Sequence, residues 1–301
     1  MAAEVLSALR PQAGGRFADG TLGGAGHAAS ILAASSPTGW LFGCDHDGAA
    51  VEAARTRLAG EYAGRFELRR GNFGDLAEWV PGNSCDGVLL DLGVSSPQLD
   101  TPNRGFSFQQ EGPLDMRMDN RQSLTAAELV NGESAEALAR IFWEYGGERE
   151  SRRFARAIVQ DRALRRFETT RQLAELIERL SPRGGRKAHP ATKVFQALRL
   201  AVNDELGSLR RGLEAAVKIL KPGGRLAVIT FQSLEVRELR AFAREWTRDY
   251  TFSGPVDVPE LRQPRVPELK WVSRKAILPG EEELSVNPRA RSSQLQVLER
   301  L

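Results

Sequence analysis

The sequence predicts an α/β fold: a parallel, doubly wound sheet interrupted by an all-helical insertion. Three observations carry that reading. Short apolar runs alternate with helical stretches in the N-terminal third. The alternation stops after Asp91 for about 130 residues of helical patterning, far too long for a simple crossover. An apolar run, "GRLAVITF" (224–231), then returns. Strands that alternate with helices form parallel sheets, and such sheets bind ligands beyond the carboxyl ends of their strands.

In chain order, strands are read at Phe17–Ala18, "WLFGCD" (40–45), "FELRRGN" (66–72), "CDGVLLDLG" (85–93) and "GRLAVITF" (224–231). Each is short, apolar and closed by Gly, Asn, Asp or a helix cap. Helical stretches lie between the first ones, for example "GAAVEAARTRLAGEY" (48–62). In the long interval, Thr125 and Glu128 form a T-x-x-E capping box. Leu138, Ile141, Phe142 and Tyr145 recur at helical spacing, and Gly146–Gly147 stop that helix. Phe154 and Ile158 share a face, as do Leu173, Leu176, Ile177 and Leu180. The domains expected are therefore a discontinuous sheet domain (1–103 and 205–301) around a helical insertion (104–204). The proline-rich segment from Gly254 is rich in arginine and lysine and reads as a basic tail that wraps or binds without building a core.

The bulk properties narrow the function. A net charge of +3 permits a nucleic-acid partner without demanding one. Cys44 and Cys85 are the only cysteines, which argues against a disulfide framework or a zinc site and for a reducing, cytoplasmic setting. The first residues lack the pattern of a signal peptide, and no apolar run approaches the roughly 20 residues that span a bilayer. No metal and no membrane are expected.

"DGTLGGAGH" (19–27) holds four glycines in nine residues directly after the first strand. Gly24-x-Gly26-x-x-Ala29 fits the loose dinucleotide pattern, and no Gly-Lys-Ser/Thr follows to make a P-loop. Asp45 ends the second strand, where a carboxylate accepts hydrogen bonds from the ribose hydroxyls of an adenosine. A nicotinamide dinucleotide and S-adenosylmethionine both fit that far. Asp19, an acid facing a cationic, amine-bearing end, and Phe73 in "GNFGDL", an aromatic face for adenine, favour S-adenosylmethionine. The bland alternative is a glycine-rich turn, an acid at a helix terminus and a core phenylalanine.

"LLDLGVSSPQLD" (89–100) ends the fourth strand at Asp91 and continues through Ser95, Ser96 and Pro97. An exocyclic amine on a base is a poor nucleophile because its lone pair is conjugated with the ring. A carboxylate and a backbone or hydroxyl acceptor that hold both N–H groups aim the lone pair at a methyl carbon, so positioning does most of the catalysis.

With "CDHD", "RGFSF", "GPLDMRMD", "HPATKVFQALRLAVNDEL", "LKPGGRLAVITF" and "NPRARSSQLQVLER", these segments resemble the bacterial small-subunit rRNA cytosine-N4 methyltransferases, the RsmH/MraW family, over nearly the whole chain. The resemblance implies a class I (Rossmann-like) S-adenosylmethionine-dependent methyltransferase sheet. It implies methyl transfer to N4 of a cytosine in the decoding centre of 16S rRNA, within the small subunit or a late assembly intermediate. The matching cofactor positions are Ala25, Gly26, His27, Asp45, Phe73, Asp91 and Gln98. Three departures stand out. Ala25 replaces a glycine, tolerable at negative φ. Gln232 and Val236 in "FQSLEVR" replace a His and an Asp. A His-x-Pro-Val segment expected ahead of "MAAEVLSAL" has no counterpart.

Basic and aromatic groups follow the active-site turn: Arg104, Phe106, Phe108 and Arg117 suit an extruded base and its phosphates, or else a folded loop with a buried aromatic pair. Lys187, His189 and Lys193 surround Pro190; His189 either donates to RNA or caps a helix. Two other classes are kept open: a nicotinamide-dependent oxidoreductase and an RNA-binding protein without catalysis. A monomer and a homodimer are both compatible with the sequence.

Overall fold

The computed structural model describes residues 1–185, 188–253 and 256–301. The chain divides into two units, Met1–Gly93 with Leu206–Leu301, and Val94–Glu205.

The first unit is built on strands β1 (Arg16–Asp19), β2 (Trp40–Asp45), β3 (Phe66–Arg70), β4 (Cys85–Asp91), β5 (Leu220–Thr230), β6 (Tyr250–Phe252), β7 (Arg262–Pro264), β8 (Leu269–Ile277) and β9 (Gln294–Arg300). Seven of them form one sheet in the order β3-β2-β1-β4-β5-β9-β8, while β6 and β7 pair separately. β1 to β5 are parallel; β9 is antiparallel to both β5 and β8.

Successive residues of a strand point to opposite faces, and here both faces are covered. Ala18, Val88, Leu90, Leu226, Val228 and Leu298 belong to one core, shared with Leu209, Leu213 and Leu239. Phe17, Leu89, Ala227, Ile229, Leu295 and Val297 belong to the other, shared with Val5, Ile31, Leu32, Val51 and Leu58. The helices that supply these residues are α1 (Ala2–Leu9), α2 (Gly26–Ala34) and α3 (Gly48–Ala59) on one side, and α10 (Glu205–Ile219) and α11 (Ser233–Trp246) on the other. Burial on both sides explains why the central strands read as nearly continuous apolar runs.

One expectation is overturned. The segment after Gly254 does build core: β9 lies inside the sheet between β5 and β8, with Leu295, Val297 and Leu298 buried, and Leu269 of β8 is buried as well. Two of its cations, Lys270 and Arg262, are paired with acids. Lys270 and Arg225 both pair with Glu299, and Arg262 pairs with Asp257.

The second unit is helical: α4 (Ser96–Asp100), α5 (Ala126–Gly132), α6 (Ala135–Glu144), α7 (Ser151–Arg162), α8 (Thr170–Leu180) and α9 (Thr192–Val202). The box of Thr125 and Glu128 caps α5, and Thr169 with Gln172 caps α8 in the same way. Leu138, Phe142, Phe154, Ile158, Leu173 and Ile177 are its fully buried centre. The junction with the sheet unit lies at Gly93/Val94, earlier than 103/104, because Val94 and Leu99 pack on this helical core.

Candidate cofactor and active site

Three strands end side by side. Asp19 terminates β1, Asp45 terminates β2 and Asp91 terminates β4; β1 lies between the other two. Asp19 is fully buried. Its Oδ1 accepts from the Thr21 amide at 3.0 Å, while its Oδ2 has no partner. Burial, with smaller contributions from the Asp91 and Asp45 charges, pushes the Asp19 carboxyl up to about 6. Thr21 ties the ends of β1 and β4 together: its hydroxyl donates to Asp19 Oδ1 at 3.4 Å and accepts from the Asp91 amide at 2.7 Å. The sequence reading missed Thr21; a hydroxyl placed two residues beyond a strand-end acid was the signal available.

His27 lies in the first turn of α2 and sets Nε2 3.6 Å from Asp91 Oδ2. Burial alone lowers its pKa, but Asp91 and Asp19 outweigh burial and leave His27 raised. Asp91 Oδ1 and His27 Nδ1 are also buried without a partner. Three orphaned polar atoms are thus found on Asp19, His27 and Asp91, in a fold where buried polar groups are normally satisfied.

The glycine loop supplies the second observation. A Cβ built on Gly24 or Gly26 meets no atom within 4 Å, and neither residue has a positive φ. Nothing inside the protein requires glycine at these two positions, so the backbone there is open to an incoming ligand. Gly20 differs: a Cβ on it would lie 2.6 Å from Leu90 Cδ2 and 2.7 Å from Phe73 Cβ, so its reason is internal packing. Ala25 corrects the sequence reading. It is buried at φ 56°, the left-handed region, so the methyl is held in a conformation that favours glycine. Arg57 Nη1 donates to the Gly24 carbonyl at 2.9 Å and steadies the loop, a contact across 33 residues that no local motif announces.

Asp45 is already employed. Its Oδ2 accepts from Gly23 N at 2.9 Å and its Oδ1 from Asp47 N at 2.9 Å. Burial raises its pKa against the lowering effect of those two amides. Each oxygen keeps a second lone pair for a ligand hydroxyl. Phe73 is mostly core. It packs on Gly20 and on Gly212, where a Cβ would lie 2.3 Å from Phe73 Cδ2, and its ring meets His46 edge-on at 6.3 Å. Cys44 and Cys85 are buried, and burial pushes both thiols up, Cys85 to about 11, so neither is a nucleophile. Orphan acceptors on Asp19 and Asp91, the open glycine loop and the acceptors of Asp45 fit a cationic adenosine ligand such as S-adenosylmethionine.

In the helical unit, Ser95 is the N-cap of α4. Gln98 is buried and its Oε1 accepts from Ser95 N at 3.0 Å, which closes a capping box; Ser96 and Pro97 are exposed. Arg104 donates to the carbonyls of Arg117 and Met118, both at 3.0 Å. Arg117 makes a two-pronged pair with Asp115 at 2.7 and 2.8 Å and donates to the Gln122 carbonyl at 2.7 Å. Phe106 is buried in the helical core. Phe108 packs against Phe195 and against His189, whose ring lies 4.6 Å away. His189 is tied into the turn ahead of α9 without capping it: its Nδ1 accepts from Ala191 N at 3.2 Å, while Nε2 approaches Glu178 at 3.5 Å. Lys193 donates to the Gly147 carbonyl at 3.1 Å. Lys187 lies outside the described residues. Among the described residues no cluster of His, Cys, Asp and Glu is arranged to hold a metal ion, and no helix is long and apolar enough to cross a membrane.

The chain is similar over its whole length to proteins named ribosomal RNA small subunit methyltransferase H. The relative from Syntrophotalea carbinolica is 51% identical, covering 100% of this chain and 96% of the relative. The relative from Geobacter sulfurreducens is 49% identical, covering 100% and 97%, and that from Symbiobacterium thermophilum is 46% identical, covering 99% and 94%. The model of one family, described as the MraW methylase family, matches residues 1–301, and the chain belongs to that family.

Proposed function

We propose that the protein methylates N4 of a cytosine in the decoding centre of small-subunit ribosomal RNA. S-adenosylmethionine is the methyl donor, and when bound it supplies an electrophilic methyl group on a sulfonium. The observation that carries the reading is the pair of orphaned, buried acceptors, Asp19 Oδ2 and Asp91 Oδ1, at the ends of adjacent strands in a chain of this family. Asp19 is assigned the amine-bearing end of the cofactor and Asp45 its ribose. Gly24, Ala25 and Gly26 give close backbone approach, and Gly26 opens α2, whose N-terminal dipole favours a carboxylate. Phe73 is assigned to the adenine.

Asp91 is the catalytic acceptor. It would accept a hydrogen bond from an N–H of the cytosine amine, stabilise the positive charge that grows on nitrogen as the N–C bond forms and the C–S bond to the donor breaks, and take the proton that the methylated nitrogen sheds. His27 keeps the other Asp91 oxygen in place. The Ser95-Ser96-Pro97 turn offers hydroxyl and carbonyl acceptors for the second N–H. For the RNA, Lys193 and His189 present exposed or half-buried donors. Arg104, Phe106, Phe108 and Arg117 shape the segment around them. The names of the relatives and the basic groups support ribosomal RNA as substrate, and the setting proposed is the cytoplasm.

The test is methylation of small subunits from a strain that lacks its own enzyme of this kind, read as N4-methylcytidine by nucleoside mass spectrometry. Methyl label that appears on another atom or on no nucleoside would overturn the proposal.

A further inference from the structure

Beside the sheet, α11 carries an arginine stripe that the cofactor site does not use. Arg237, Arg240 and Arg244 are exposed and line an open groove of about 650 Å³ together with Phe231, Gln232 and Gln294. The spacing is i, i+3, i+7, so the three guanidinium groups stand on one face. Like charges three or four residues apart repel and destabilise a helix. A stripe meant only for solvation is normally laced with acids. This one is not. The helical neighbours of Arg240 are Val236, Arg237, Ala243 and Arg244. Among the described residues neither Arg240 nor Arg244 makes an ion pair or a hydrogen bond. Glu238 is held by Arg210 at 2.8 Å and only grazes Arg237 at 3.9 Å, and the exposed Glu245, next to Arg244 in sequence, makes no ion pair with it among the described residues. Beyond the helix end, Arg248 continues the positive line over the rings of Tyr250 and Phe252, 5.1 and 5.5 Å from their centroids.

From this arrangement we infer that the groove along α11, which opens at the end of β5 beside β4, is a second RNA-anchoring site, one that grips the phosphodiester backbone. The inference rests on the reading of the protein as an RNA methylase. The ligand chemistry is set by the stripe: successive anions on a polymer match successive cations on a helix, with Gln232, Ser233 and Gln294 as neutral polar groups lining the groove. The tight bidentate geometry of guanidinium on phosphate suits Arg, and the contact carries no base information. Its role is to hold the substrate in register while the amine is presented to Asp91.

The experiment compares the full-length protein with R240Q/R244Q and R240K/R244K for binding to unmethylated small ribosomal subunits across a salt series, with S-adenosylmethionine saturating. The Gln variant is expected to bind more weakly at low salt and to lose about two from the slope of log affinity against log salt, one for each phosphate contact removed. The Lys variant is expected to keep that slope. All three proteins are expected to bind S-adenosylmethionine equally in calorimetry, which shows that the variants fold and that the cofactor site is intact. A Gln variant with the wild-type slope and affinity overturns the second site while leaving the methylase reading untouched. Wild-type protein that binds no small subunit defeats the methylase reading, and the groove proposal falls with it.

Discussion

His27 Nε2, in the first turn of α2, stands 3.6 Å from Asp91 Oδ2 at the end of β4. The pair shares its surroundings with Asp19, whose charge also acts on His27. Asp19 is raised to about 6 from 3.8. Between those values the folded protein binds more protons than the unfolded chain, so the stability of the cofactor-free protein falls as pH rises through that window. His27, also raised, adds stability that is fully present below its unfolded pKa and is lost as pH rises through its folded one. A bound cation reverses the preference of Asp19 by favouring the carboxylate. S-adenosylmethionine affinity is therefore expected to rise with pH by up to tenfold per unit below about 6 and then to level off. Calorimetric titrations at a series of pH values check this, with Asp19→Asn expected to flatten the curve. A wild-type affinity independent of pH over that range would remove Asp19 from the cation.

Asp45 gives a second prediction, sharper than its sequence position alone allows. Its two oxygens accept from Gly23 and Asp47. Asp45→Ala leaves both amides without partners and costs roughly 1–3 kcal/mol of stability. It should also weaken cofactor binding by about ten- to a hundredfold, the range for a charge-assisted bond. Thermal unfolding with and without cofactor separates the two effects. Equal melting shifts on cofactor addition in both proteins would leave Asp45 with a loop role alone.

Ala25 carries a third. At φ 56° a Cβ is strained by about 1–2 kcal/mol, whereas glycine there adds at most about 1 kcal/mol of unfolded-state entropy. Ala25→Gly is expected to leave the melting temperature unchanged or raised, with cofactor affinity retained. A clear fall in melting temperature would mean that the buried methyl contributes more packing than its strain costs.

Much of this was legible beforehand, for physical reasons that also explain the gaps. β1, β2, β4 and β5 are buried on both faces, so they read as apolar runs without any partner in view. β8 is an edge strand with alternating exposure and the charges Lys270, Arg274 and Lys275, and it reads as a basic tail until β9 is seen inserted beside it. Asp19, Asp45 and Asp91 could be picked out because strand ends are local features. The left-handed Ala25, the Thr21 bridge and the Arg57 contact to Gly24 are set by pairings distant in sequence, which no window reports. The local hydrogen bonding of Gln98 and His189 was masked by chemistry that those residue types equally offer a ligand.

Arg117 tests that last distinction. Its guanidinium is engaged by Asp115, Gln122 and Asn120, with the side chain 23% exposed. Arg117→Ala should cost about 1.5–3 kcal/mol through the lost charged hydrogen bonds. The salt slope of small-subunit binding should stay at its wild-type value. A slope reduced by about one with stability unchanged would make Arg117 a phosphate contact instead.

Asp91 decides the chemistry. Its Oδ1 is buried without a partner, its Oδ2 faces His27 and its amide is fixed by Thr21, so the backbone is anchored and the carboxylate has one acceptor left over. Asp91→Asn keeps the shape and removes the charge. His27 then loses the largest influence that raises it, so its pKa should fall, which proton NMR can follow because the chain has only three histidines. If Oδ1 accepts from the amine, the variant presents a weaker, neutral acceptor to a nitrogen becoming cationic. The methyl-transfer rate should fall by about 2–4 kcal/mol in barrier, with RNA affinity little changed. If Asp91 only holds the amine-bearing end of S-adenosylmethionine, the loss appears in cofactor affinity and disappears when cofactor saturates. Single-turnover rates at saturating cofactor distinguish the two, and a rate restored to the wild-type value there would leave Asp91 as a binding residue.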